Sequence, residues 1–299
     1  MTDKNDVKDT KQLGTAATTA GTTTAATTAL NIIQRRGSLD QQGQQRVKDM
    51  LSRLKQGGHL PGSGLSQVIT IDTTGSMGPY FTALRAGVDQ VTSDIYSFAP
   101  GTRIAVVAYK DHNEGKYVTR PSGFFDKPAD LKRFLDDPGI ALGEGGGDAE
   151  ALECALYDAW ELLKGEESRT KVIVNIGDQP PHGVVDGFER CPLGRRYEDI
   201  AREVSQGGGR MYMVTCGTRQ ETVRVYDQMA QETNGARLDL ANITDLNKQL
   251  TAIAGASTGK LRAVEDLLKA RSGGQLAEGD RMLLEAVNPG YKPGQLEKK

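Results

Sequence analysis

From Ser66 to about Gly255 the chain alternates short runs of β-branched and aliphatic residues with longer stretches in which apolar positions recur every three or four residues. That alternation predicts a parallel sheet whose strands are joined by crossover helices. The strand candidates are Gln67 to Asp72, Arg103 to Lys110, Lys171 to Gly177, Arg210 to Cys216 and a weaker Ala236 to Leu240. Phe81, Leu84, Val88, Val91 and Ile95 form one helical stripe, and Leu152, Ala155, Leu156, Ala159 and Leu163 form another, both placed to lie on the sheet. Tyr117 to Phe125 reads as a short antiparallel edge strand, followed by a small helix over Pro128 to Leu135, so the sheet is mixed. The expected class is α/β: a Rossmann-like, mostly parallel sheet with helices on both faces, plus helical appendages at the two ends.

Four segments follow from the same pattern. Residues 1–38 read as a disordered tail, because Thr15 to Ala29 holds only Thr, Ala and one Gly and has too little apolar volume to offset the entropy of ordering. The rival reading is a Thr/Ala helix that packs on a partner. Residues 39–64 supply an amphipathic helix, with Val47, Met50, Leu51 and Leu54 at helical spacing, and a Gly- and Pro-containing linker. The main domain spans 65–257. The appendage, 258–299, holds two helices separated by Gly273-Gly274, and its Leu261, Val264, Leu268, Leu283, Leu284 and Val287 are too apolar to face water.

Composition narrows the class of function. The chain of 299 residues carries 37 basic and 39 acidic side chains for a formal charge of -2, which argues against nucleic-acid or membrane binding by bulk charge. No apolar run approaches the roughly 18 residues of a membrane span, and the first residues lack the apolar core of a secretory signal. A cytoplasmic location is the expectation. Three widely spaced cysteines, Cys154, Cys191 and Cys216, spell neither a disulfide framework nor a CxxC metal motif.

In an open α/β sheet, ligands bind beyond the carboxyl ends of the strands. The first strand ends in Asp72-Thr73-Thr74-Gly75-Ser76-Met77, with a carboxylate and two hydroxyls at alternate positions, and a later one ends in Gly177-Asp178-Gln179-Pro180. Between them Gly145-Gly146-Gly147-Asp148 leads towards a helix. Spaced carboxylates and hydroxyls, all oxygen donors, suit a hard divalent cation: Mg²⁺, with Mn²⁺ or Ca²⁺ as alternatives. With few ionic ligands on the metal, a coordination position stays open for a carboxylate or phosphate from outside.

At these residues the chain resembles the von Willebrand factor A family, whose metal-ion-dependent adhesion site carries Asp-x-Ser/Thr-x-Ser. Asp72, Thr74 and Ser76 match that pattern, and the resemblance points to Asp178 as the aspartate after a central strand. It covers about Ser66 to Gly255. Tyr109-Lys110-Asp111-His112 and Gly177 to Gly183 look most like the alpha-kinase-linked and hemicentin-like branch. The family's usual loop threonine is missing between Pro138 and Glu150, where Asp148 is the substitute ligand. Asp148 also reads as the N-cap of the helix carrying Leu152.

Other residues carry less. Asp72, Thr74 and Ser76 by themselves also fit a helix N-terminus. His112 and His182 fall after strand ends and read as hydrogen-bonded scaffold rather than catalytic bases, and Asp111 as an anchor or an acceptor behind the ligands. Cys154 and Cys216 read as small apolar fillers, while Cys191, in the loop Phe188 to Arg196, could be exposed but has no convincing base nearby. Neither a P-loop nor a nucleophile elbow is written in the chain. The resemblance therefore implies a non-enzymatic adaptor that grips another protein's acidic side chain through a divalent cation, in a bacterial stress, defence or AAA+-linked assembly. The alternatives are a metal-dependent hydrolase or the regulatory subunit of an ATP-driven machine, and a structural subunit with a vestigial metal site.

Overall fold

The structure is a computed structural model that describes residues 64–294, except 114–115, 126, 141–142, 144–146, 168 and 186–189. The expectations for residues 1–38, and for the helix and linker of 39–64 apart from Gly64, lie outside the described residues. Six strands form one sheet: β1 (Leu65–Asp72), β2 (Arg103–Tyr109), β3 (Thr119–Pro121), β4 (Thr170–Gly177), β5 (Arg210–Thr215) and β6 (Ala236–Asp239). Their spatial order is β3-β2-β1-β4-β5-β6, and every pairing is parallel except that of β3 with β2. β3 lies at the edge, where Pro121 needs no ladder donor. The α/β class and the mixed sheet expected from the pattern are what the chain forms.

Every residue of β1 is buried, as a parallel strand covered on both faces should be. Alternate side chains serve opposite layers. Ile69 and Ile71 belong to the core shared with α1 (Gly78–Phe98) and α6 (Leu246–Thr258), whereas Val68 belongs to the core shared with α3 (Leu152–Lys164), α4 (Tyr197–Gln206) and α5 (Gln220–Glu232). A short α2 (Pro128–Leu135) packs beside α1. The crossover helices α4 and α5 are less apolar overall than α1 and α3, yet each buries one sharp face, Ile200 and Val204 on α4 and Val225, Tyr226 and Met229 on α5.

The last helices, α7 (Leu261–Arg271) and α8 (Glu278–Val287), pack on α6, and α8 also meets β6. Leu261, Val264, Leu268, Leu284 and Val287 join the same apolar cluster as α1 and α6. Ionic contacts help hold them, among them Lys248 Nζ on α6 with buried Asp280 Oδ1 on α8 at 3.0 Å. Arg271 donates to both oxygens of buried Asp94 on α1 at 2.7 and 2.8 Å. Buried Glu265 accepts from Lys269 Nζ at 2.5 Å, Tyr291 Oη at 2.6 Å and the Gly294 amide at 3.0 Å, tying the chain after α8 back onto α7.

Burial opposes the charge on Glu265, but the hydrogen bonds from Lys269 and Tyr291 outweigh it and hold its carboxyl below the usual glutamate range. A depressed folded pKa stabilises the protein fully above the unfolded value of about 4.3 and is lost as pH falls through the folded pKa. Glu265→Gln should therefore cost about 1–3 kcal/mol at pH 7, with the gap to wild type closing below about pH 4. Urea melts of both proteins at several pH values check this; a gap independent of pH would refute it.

Candidate functional site

The order of strands reverses direction between β1 and β4, which are neighbours, so the crossovers on either side leave a crevice at their carboxyl ends. Asp72 ends β1 and Asp178 directly follows β4. The chain after Asp72 turns at once into a 3₁₀ turn, Gly75–Met77, and then into α1 with Pro79 in its first turn. That tight turn brings Thr74 Oγ1 and Ser76 Oγ within 3.4 Å of each other, and Asp72 Oδ1 accepts from the Thr74 amide at 2.7 Å. Thr74 does not cap the turn with its side chain, so its hydroxyl is left to other partners.

Asp178 meets this group from the other strand. Burial raises its carboxyl pKa above the ordinary aspartate range, against the lowering effect of hydrogen bonding with Ser76 and Asp72 and of the Arg219 charge. Its Oδ1 is buried without a hydrogen-bond partner. Ser76 is exposed while Asp72 and Thr74 are buried, so the cluster opens to solvent on the serine side. Four of the five residues expected from the sequence, Asp72, Thr74, Ser76 and Asp178, thus lie around one spot. Two carboxylates and two hydroxyls, with one buried carboxylate oxygen unsatisfied, fit a hard oxygen-seeking cation.

The fifth, Asp148, is 58% exposed and its Oδ1 lies 3.0 Å from Arg219 Nη1. It does not cap the helix: α3 begins at Leu152 with Ala151 as its N-cap, because Glu150 is first held in a parallel bridge to Pro181. Arg219, which also donates to Gln179 Oε1 at 2.8 Å, was not foreseen from the sequence. Glu150 was also missed. It is buried, and its charge acts with those of Asp72 and Asp178 on the Tyr109 hydroxyl, whose pKa burial has already driven far up. Lys110 closes the floor, donating Nζ to the carbonyls of Thr73 and Gly143.

A second polar cluster lies further along the same loops. His182 donates from Nε2 to Asp111 Oδ1 and from Nδ1 to Glu153 Oε1, each at 3.0 Å. Burial disfavours its charge, yet a carboxylate on each ring nitrogen raises its pKa to about 10. Glu153, although buried, is lowered to about 2 by hydrogen bonds with His112 and His182. His182 is thus hydrogen-bonded between two carboxylates. Cys154 is buried, as its place on the inner face of the helix implied, whereas Cys191, in a loop that could have been exposed, is buried too, and the two sulfurs lie 3.6 Å apart beside His112. Cys216 is buried after β5 within the main apolar cluster.

Comparison with known proteins adds a fold and little more. No family model matches the chain. One curated relative, an ariadne-like RING finger protein of Acanthamoeba polyphaga mimivirus, is 27% identical over 114 residues, 38% of this chain but 11% of the relative. Among solved structures, the pilus adhesin SpaC of Lactobacillus rhamnosus GG aligns with a TM-score of 0.51 at 11% identity, covering 67% of this chain and 31% of the adhesin. Its open conformation gives 0.50 at 12% identity over 70% of this chain. The SpRpn10 VWA domain aligns at 14% identity over 62% of this chain and 94% of that domain, with a TM-score of 0.44.

Gly177, immediately before Asp178, sets how closely β4 approaches the tyrosines below. A Cβ there would stand 2.6 Å from Tyr109 Oη and 2.8 Å from Tyr226 Oη, inside any real contact distance. Gly177→Ala should cost about 1–3 kcal/mol by overpacking. Adding Tyr109→Phe and Tyr226→Phe should recover most of that loss. Thermal melts of the single and combined variants measure the coupling, and simple additivity would show that the glycine is not there for the tyrosines.

Proposed function

We propose that the chain is a protein-binding module that engages its partner through a divalent cation held by Asp72, Thr74, Ser76 and Asp178. Mg²⁺ is the first choice, with Mn²⁺ or Ca²⁺ able to substitute. The observation that carries this reading is the convergence of two carboxylates from adjacent strand ends with two hydroxyls, leaving Asp178 Oδ1 buried and unsatisfied while Ser76 stays open to solvent. That convergence supports the resemblance of Asp72, Thr74, Ser76 and Asp178 to the adhesion site of the von Willebrand factor A family. The fold shared with a pilus adhesin accords with a binding role.

Bound there, the cation offers a Lewis-acidic position to an Asp or Glu of another protein. The chain's own residues set the selectivity. Oxygen donors exclude soft metals, and the hydroxyls bring no charge of their own. Arg219 carries the charge of Asp148, so that carboxylate does not repel an acidic visitor in the way a third free one would. The module is a binding protein rather than an enzyme, an adaptor within a larger assembly. A cytoplasmic setting suits its three free thiols; no helix among the described residues is long and apolar enough to cross a membrane.

Two measurements test this reading. Mg²⁺ added to protein in Mg²⁺-free buffer should stabilise it by about 2.7 kcal/mol at a hundredfold excess over Kd. The corresponding thermal shift should vanish in Asp72→Ala; a wild-type protein indifferent to Mg²⁺ and Mn²⁺ would overturn the site. Partners captured on the wild-type chain in Mg²⁺ should be released in Mg²⁺-free buffer and absent from Ser76→Ala. Arg219→Ala should weaken that capture by exposing the Asp148 charge, and Asp148→Thr in the same chain should restore it.

A further inference from the structure

The cluster at the far side of these loops has the composition and spacing of a soft-metal site. Four side chains present donor atoms that all lie within 4.8 Å of one another: His112 after β2, Glu153 and Cys154 in the first turn of α3, and Cys191 in the connection between β4 and α4. Cys154 Sγ lies 3.6 Å from Cys191 Sγ and 3.6 Å from His112 Nε2. Cys191 Sγ lies 3.5 Å from the same Nε2, Glu153 Oε1 lies 3.5 Å from it, and Cys154 Sγ lies 4.0 Å from Glu153 Oε1.

Those separations can be compared with a tetrahedron. Zinc with Zn–S of about 2.3 Å and Zn–N or Zn–O of about 2.0–2.1 Å holds two sulfurs about 3.8 Å apart, sulfur and nitrogen about 3.6 Å apart, and nitrogen and oxygen about 3.4 Å apart. The sulfur–sulfur, sulfur–nitrogen and nitrogen–oxygen separations fall close to these, whereas Glu153 Oε1, 4.0 Å from Cys154 Sγ against about 3.6 Å in the tetrahedron, has to move inward when the ion binds. A disulfide, by contrast, needs the sulfurs at about 2.05 Å, and the two here are not bonded.

We infer that Cys154, Cys191, His112 and Glu153 bind one Zn²⁺ in a closed tetrahedral site that is structural and separate from the oxygen site at Asp72. The donor set selects the metal: two sulfurs with a nitrogen and one oxygen suit Zn²⁺, and neither Mg²⁺ nor Ca²⁺ takes thiolate. Burial selects the role. Cys154, Cys191 and Glu153 are buried and the His112 side chain is 10% exposed, so four protein ligands fill the sphere and leave no open position.

The surroundings fit as well. Metal-bound carboxylates are themselves hydrogen-bonded in well-formed sites, and here His182 donates to Glu153 Oε1, its backbone amide lies 3.3 Å from Glu153 Oε2, and its other ring nitrogen rests on Asp111. On binding, Cys154 and Cys191 each give up the thiol proton to solvent and Zn²⁺ accepts a lone pair from each sulfur, from Nε2 and from the carboxylate. No redox partner is required. The ion pins the β4–α4 connection, which carries Cys191, to α3 and to the loop after β2. Beside it lies a cleft of about 310 Å³ lined by His182, Arg190, Cys191, Arg195 and Tyr197, whose wall the ion would fix.

The test uses the full chain purified without chelator and desalted. Elemental analysis should find one zinc per folded chain, kept in Cys216→Ser and lost in Cys154→Ser and Cys191→Ser. Because a ligand variant may fail to fold, the metal-free wild-type chain is also titrated with Co²⁺. Tetrahedral visible bands with a thiolate-to-cobalt transition should grow to one equivalent, and a large excess of Mg²⁺ should leave them unchanged. Zinc-free folded protein that gives only an octahedral cobalt spectrum would overturn the site. So would a Cys154–Cys191 disulfide found by alkylation under non-reducing conditions. Loss of the Mg²⁺ response with zinc retained would instead strike only at the oxygen site.

Discussion

Burial of the central strands on both faces is the constraint from which the rest follows. A strand such as β1, with all eight residues buried, has no solvated face on which a charged side chain can stand. Charge is therefore confined to the strand ends, and the reversal of strand order between β1 and β4 decides which two ends face each other. Asp72 and Asp178 are the outcome. Desolvating a carboxylate costs several kcal/mol unless partners offset it. The Thr74 amide offsets part of that cost for Asp72; for Asp178 burial raises the carboxyl pKa in spite of the Ser76 hydroxyl and the Arg219 charge. The same burial that builds the sheet therefore leaves an Asp178 oxygen unsatisfied at the carboxyl ends of its central strands, where the proposed cation would sit.

The loops that answer this demand are bonded to one another before any ion is considered. The Ala151 amide donates to the Lys110 carbonyl at 3.1 Å, the Glu150 amide to the Pro180 carbonyl at 3.1 Å, and Lys110 Nζ reaches Thr73 and Gly143. The segments after β2, before α3 and after β4 thus form one backbone-linked unit. Each end of the unit carries a different chemistry. Asp178 and His182 are only four residues apart, yet Asp178 faces the oxygen site and His182 supports the sulfur site.

What could be read in the sequence and what could not separates along physical lines. Asp72, Thr74, Ser76 and Asp178 were legible because each lies within four residues of a strand end, and a strand end is visible as the point where an apolar run stops. The stripes of α1 and α3 were legible for the same reason of period, as were α6 to α8. The crossover helices α4 and α5 are less apolar overall, with Glu, Gln and Arg on their outer faces, and were not singled out although Tyr197, Ile200, Ala201 and Val204 recur at helical spacing. Arg219 stands in a loop with no apolar run to flag it. The sulfur cluster was hidden most deeply: Cys154 is 42 residues from His112 and 37 from Cys191, so no short-range spacing reports a contact made only by the fold. Asp148 was misread as a cap because the chain between it and α3 is spent on the bridge from Glu150 to Pro181 rather than on a helical turn.

The contrast in exposure between the two clusters assigns their work. Ser76 is open to solvent, so an ion held at Asp72 and Asp178 has a face towards other molecules, and oxygen donors exchange easily enough for a partner carboxylate to enter. Cys191 is 5% exposed and Cys154 fully buried, so an ion among them has no free face and can only hold the chain to itself. Donor type keeps the two from competing: the thiolates do not attract Mg²⁺, and the hydroxyls offer Zn²⁺ less than sulfur does. On the two proposals, fixing the loop that begins at Asp178 by a closed site at Cys191 would lower the entropy that partner binding at the open site must overcome. The two clusters would then be unlike in chemistry because they meet opposite requirements, exchange at one and permanence at the other.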